Sequence, residues 1–132
     1  MVRSILGAEM LAFADAFDLS FLLKRDLEDI LGKKLPLKML TDSKCLFDII
    51  TKQSETTEKR LEIDVKAVRE GYNAFEISDI GFIRSANNPA DALTKVRGND
   101  SLLKLLETNK CDFDVDKWVV RKKENSSEKV EC

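Results

Sequence analysis

The stretch Leu35-Pro36-Leu37-Lys38-Met39-Leu40-Thr41-Asp42-Ser43-Lys44-Cys45-Leu46-Phe47 decides the fold class, because its hydrophobic rhythm changes in the middle. Residues 35–41 make a short apolar segment of strand length, with Pro36 at its start rather than its centre, where it would remove a ladder hydrogen bond. Asp42 stands where that strand stops. Ser43 is a helix N-cap candidate, since its hydroxyl can accept from a free first-turn amide, and Leu46, Phe47, Ile49 and Ile50 then fall on one helical side. A strand running straight into an amphipathic helix is the building unit of an α/β domain.

Outward from there, Leu6, Met10, Phe13, Phe17, Phe21, Leu27 and Leu31 recur at three- and four-residue steps and predict one long helix from Ser4 to Leu31, ended by Gly32. On the other side, the polar run Lys52 to Thr56 reads as a loop. Thr57 onward, with Leu61, Val65 and Val68, gives a third helix closed by Gly71. Ile77 to Ile83 is a second strand-like segment, in which Asp79 and Gly81 mark an edge or a bend. Asn87-Asn88-Pro89 is a turn into a short helix with Asp91 in its first turn, and Ser101 to Thr108 places Leu102, Leu105 and Leu106 on one face of a last helix. Two strands alone make a poor sheet, so the expected α/β domain has too few of them. Residues 1–110 read as this partial domain, 111–120 as a C-terminal extension and 121–132, polar and without apolar rhythm, as a disordered tail.

The 132 residues are 43% hydrophobic and 35% charged, enough apolar content for one core and too little length for a second domain. A net charge of −2 excludes a uniformly basic protein that coats nucleic acid. Charged residues interrupt every apolar run, which argues against a signal peptide or membrane span. Cys45, Cys111 and Cys132, widely spaced in a chain with no histidine, suit neither a disulfide framework nor a zinc site. They fit a reducing, intracellular setting, cytoplasmic or nuclear.

Three carboxylates stand out by position. Glu9 sits in an apolar stretch near the start of the long helix, where the macrodipole favours an anion. Asp42 closes a strand ahead of a helix, where ligand-binding residues concentrate in open α/β sheets. Asp91 lies in the first turn of a helix, beside free backbone amides. Each also has a plain structural reading, as a helix-start carboxylate, a turn residue and a cap. Mg²⁺ prefers carboxylate oxygens, and phosphodiester hydrolysis by paired metals needs several of them converging on one site.

The runs Arg3-Ser4-Ile5-Leu6-Gly7-Ala8-Glu9, Leu40-Thr41-Asp42-Ser43-Lys44 and Asn88-Pro89-Ala90-Asp91-Ala92-Leu93-Thr94-Lys95 resemble, in order and separation, landmarks of the ribonuclease H domains of copia-type retrotransposon polyproteins. The resemblance extends from about Arg3 to Leu106, and the last motif is the most distinctive. It implies a ribonuclease H-like α/β fold, incomplete here because the family's first three strands and first catalytic aspartate precede the long helix. It implies also that Glu9, Asp42 and Asp91 are the second, third and fourth members of a four-carboxylate catalytic site. That site would hold two Mg²⁺ ions and cleave the RNA strand of an RNA–DNA hybrid. The expected partners are that hybrid and an upstream reverse transcriptase segment. With the bridging aspartate missing, the chain alone is expected to bind Mg²⁺ weakly and to be inactive. Other readings are a non-catalytic retroelement remnant and a helical interaction module using the Phe-bearing helix. That stripe, if uncovered, would promote self-association.

Overall fold

In a computed structural model, which describes residues 5–51, 59–111 and 113–120, the chain is mixed α/β. Helix α1 spans Ile5–Leu31, strand β1 Lys38–Thr41, helix α2 Lys44–Thr51, helix α3 Lys59–Asn73 and strand β2 Asp79–Ile83. Two 3₁₀ turns, Ser85–Asn87 and Asp91–Thr94, lead to helix α4, Asp100–Thr108, and strand β3, Val115–Trp118. The strands form one sheet in the order β1-β2-β3, with β1 parallel and β3 antiparallel to β2. The expected loop at 52–56 and tail at 121–132 lie outside the described residues.

The core forms where α1 and α3 cross over one face of the sheet. Met10, Phe13 and Phe17 of α1 pack with Leu61, Val65, Val68 and Tyr72 of α3, with Leu46 and Ile50 of α2, and with Met39 and Ile80 of the strands. The apolar rhythm of α1 thus predicts its buried side up to Phe21, which is partly buried against the same cluster. Beyond that the expectation fails. Leu27 is 39% and Leu31 54% exposed, and it is Lys24 and Glu28 that are covered at that end, Lys24 Nζ donating to the Glu76 carbonyl at 3.3 Å.

Ser43 caps α2 as expected, its Oγ accepting from the Leu46 amide at 3.3 Å. Arg69 of α3 donates to the carbonyls of Ile49 and Ile50, closing the other end of α2 and tying the two helices together.

Gly71 does not end α3. It lies inside the helix because Phe17 packs over it, and a Cβ there would come within 2.6 Å of the ring. The helix closes four residues later in a Schellman turn. Phe75 takes a left-handed φ of 60°, the Glu76 amide donates to the Gly71 carbonyl and the Phe75 amide to that of Tyr72.

Both strands are shorter than the sequence suggests, since β1 begins at Lys38 and β2 at Asp79. The third strand corrects the two-strand expectation. Residues 115–118, read as part of an extension, pair with β2, and Tyr72 Oη donates to the Val119 carbonyl at 3.1 Å. The segment after Pro89 is a 3₁₀ turn rather than a regular helix, and α4 buries none of its leucines fully, with Leu106 69% exposed.

Candidate active site

Asp42 follows β1 directly, and its direction is set by the turn into α2. Thr41, buried at the strand end, accepts the Ser43 amide on its Oγ1 at 3.1 Å, which folds the backbone tightly around Asp42. The Asp42 carboxylate then points to the chain leaving β2. Its Oδ2 accepts from Ser85 Oγ at 3.2 Å and from Asn88 Nδ2 at 3.4 Å.

Asn88 organises the other half of the site. Its Oδ1 accepts the Ala90 amide at 3.1 Å, and its carbonyl receives the Asp91 amide and the Asn99 side-chain amide. Asp91 therefore stands at the head of the second 3₁₀ turn, held by backbone bonds that follow from an Asn-Pro start. Asn99 caps α4 by accepting the Leu102 amide at 2.8 Å, so the same loop also fixes that helix.

Asp91 carries its own cation. Lys95, four residues on, donates to Asp91 Oδ2 at 2.8 Å. The hydrogen bond and charge of Asp91 raise the lysine above its ordinary 10.5; the charge of Asp42 adds to this, while desolvation opposes it. Lys95 thus lies within electrostatic reach of both carboxylates. Sequence reasoning gave it no role, although an acid four residues before a base on a helical segment is a legible pairing signal. Ser85 carried no such signal, because its contact with Asp42 is purely tertiary.

Glu9 is different. It is half-buried on α1, enters no hydrogen bond or ion pair among the described residues, and is not one of the charges that act on Lys95. The structure joins Asp42 to the Asp91 loop and leaves Glu9 unconnected to either.

The two-Mg²⁺ expectation can be set against this geometry. Carboxylate oxygens suit Mg²⁺ chemically. Among the described residues, however, no three His, Cys, Asp or Glu side chains gather so as to hold a metal ion. Asp91, moreover, already meets a lysine ammonium. As it stands the arrangement supplies two of the carboxylates such a centre would need and no third, and it assigns no hydrolytic step to one. What it can do is present the Asp42 carboxylate at the end of a parallel strand and the Asp91 carboxylate on the neighbouring turn, linked through Asn88 and both acting on Lys95.

Among the described residues no helix is long and apolar enough to cross a membrane. Compared with known proteins, the chain matches no family model, no curated protein and no solved structure.

Proposed function

We propose that this chain is part of a ribonuclease H-like domain of the copia type, which cleaves the RNA strand of RNA–DNA hybrids inside a larger intracellular polyprotein, and that the 132 residues alone do not cleave it. The observation that supports this reading is the Asp42–Asn88 hydrogen bond, which spans 46 residues and brings two of the three family-like motifs together. In this reading Asp42 and Asp91 are two of the metal-binding carboxylates and Glu9 a third, brought to them when further strands complete the sheet. Hybrid shape and 2′-hydroxyls, rather than base sequence, would define the substrate.

Two surfaces have room for such strands. Among the described residues nothing pairs with the outer edge of β1, and α1 exposes Leu19, Leu22, Leu23 and Ile30 on its side away from the core. Left uncovered, the α1 side is where the isolated chain would self-associate.

The test is cleavage of a labelled RNA–DNA hybrid with Mg²⁺. The 132-residue chain is expected to give none, whereas a protein extended upstream with strands and an aspartate cleaves and loses activity on Asp42→Asn. Strong cleavage by the short chain, lost on Asp42→Asn, would overturn the proposed dependence on further polypeptide. An extended protein that folds and never cleaves would favour the second reading, a non-catalytic remnant. The Lys95 ammonium, which already meets Asp91 at 2.8 Å, speaks for that alternative.

A further inference from the structure

The face of the sheet turned away from α1 and α3 carries an open trough of about 530 Å³, floored by Leu40 and Val115 and walled by Trp118 and Phe113, with Pro89 at its far side. Both aromatic side chains are about half exposed, Trp118 at 41% and Phe113 at 46%. Gly81 keeps the floor low, since a Cβ there would meet Leu40, Val115 and Trp118 at 2.8–3.0 Å. The ends of the trough differ from its walls. At one, the Lys38 ammonium lies 5.5 Å from the Trp118 ring centroid and 4.0 Å from the Asp79 carboxylate, with its side chain 56% exposed. At the other stands Asn88, the residue that donates to Asp42.

We infer that this trough is a stacking subsite for unpaired bases of a nucleic-acid strand, running from Lys38 towards the Asp42–Asp91 pair; the inference rests on the nuclease reading above. Every base has a π-face and can stack on an exposed indole or phenyl ring whatever its sequence. The ammonium beside the ring meets Asp79 only at 4.0 Å and is more than half exposed, so it can turn to the phosphate of the stacked nucleotide. An apolar peptide would use the walls but would have no need of the cation, and would leave the Asn88 end unused. Continuity with the carboxylate pair through Asn88 selects a strand that extends beyond the trough.

Trp118 is the only tryptophan in the chain, so its fluorescence reports on this place alone. The full chain is titrated at low salt with the single strands dT8 and rU8 and with an RNA–DNA hybrid carrying a single-stranded overhang. Saturable quenching of Trp118 is expected with each. Binding of the labelled strand, followed by anisotropy, should persist in Trp118→Phe and weaken about tenfold in Trp118→Leu, which keeps apolar bulk but loses the π-face. Lys38→Gln should lower the slope of log affinity against log salt by about 0.7. No quenching, or affinity unchanged in Trp118→Leu, overturns the subsite. So does quenching by an uncharged apolar peptide that the strands fail to displace. Failure of the nuclease reading would look different: Trp118 would still respond to the strand, and Asp42→Asn in the extended protein would not affect cleavage.

Discussion

The two faces of the sheet are made by the same strands and meet opposite environments. On one, Met39, Thr41 and Ile80 are buried, and the Phe82 ring packs at a tilt of 50° against Phe47 of α2, centroids 6.1 Å apart. On the other, Lys38, Leu40, Ile83 and Val115 line the trough, with Gly81 buried between them and Ile83 only 1% exposed, outside the main core cluster. Strand alternation alone would make the faces equivalent. The difference is imposed by the connections: α1, α2 and α3 contribute to one core cluster with Met39 and Ile80, so stability gathers on that side and the polar contacts of the candidate site collect at the strand ends.

If that division is right, the largest effect belongs to Phe17. Phe17→Ala should cost about 3–5 kcal/mol in denaturant unfolding, because it removes a ring buried between α1 and α3. Gly71 sharpens this. In the wild-type background Gly71→Ala is expected to destabilise by about 1–3 kcal/mol, since its methyl collides with the Phe17 ring. In the Phe17→Ala background the penalty should vanish or reverse, as alanine favours a helix over glycine by about 1 kcal/mol. Additive costs in this double-mutant cycle would show that the two residues do not touch.

On the open face the effects should be smaller. Gly81→Ala should cost about 1 kcal/mol, at the low end for overpacking, because two of the three atoms it meets are the methyl tips of Leu40 and Val115, which border the open trough. An effect as large as that of Phe17→Ala would mean that the trough is closed in solution.

Lys95 gives a difference of direction. Its folded pKa is raised, so its contribution to stability is fully present below a lysine's ordinary 10.5 and is lost as pH climbs through the higher folded value. Wild type should lose stability relative to Lys95→Met above about pH 10.5. Curves that run parallel through that range would mean the Asp91 contact does not persist. Smallest of all, Ile30→Gln, on the exposed end of α1, should shift stability by no more than about 0.5 kcal/mol.

The sequence made legible whatever depends on nearest neighbours. Ser43 could be read as a cap and Met10, Phe13 and Phe17 as a buried stripe, because both follow from local geometry. Gly71 was misread as a stop because its reason for being glycine lies 54 residues away, in the space needed by Phe17 (71 minus 17). β3 escaped notice because Val115-Asp116-Lys117-Trp118 has too little alternation to look like a strand, and its place is set by pairing with Gly81, Phe82 and Ile83. Leu27 and Leu31 kept the helical rhythm, but at that end the covered positions are Lys24 and Glu28, whose aliphatic stems no apolar pattern displays. At the candidate site, position along the chain singled out Asp42 and Asp91. It could not reveal Ser85 as a partner, nor that Glu9 would stand apart from both.

The Leu37–Ser78 pair has a consequence for the order of events during folding. The Leu37 amide donates to Ser78 Oγ across 41 residues, and the Ser78 amide returns to the Leu37 carbonyl at 2.8 Å, immediately ahead of the parallel ladder. Parallel strands have no tight turn to start them, so the loop between must close before any ladder bond is gained. The helices can form locally within microseconds, while the first β1–β2 contact waits for that closure. Ser78→Ala should therefore slow refolding more than it speeds unfolding in stopped-flow measurements, marking the start of the ladder as an early crossing rather than a late adjustment. A variant that changed only the unfolding limb would put the sheet's assembly after the barrier instead.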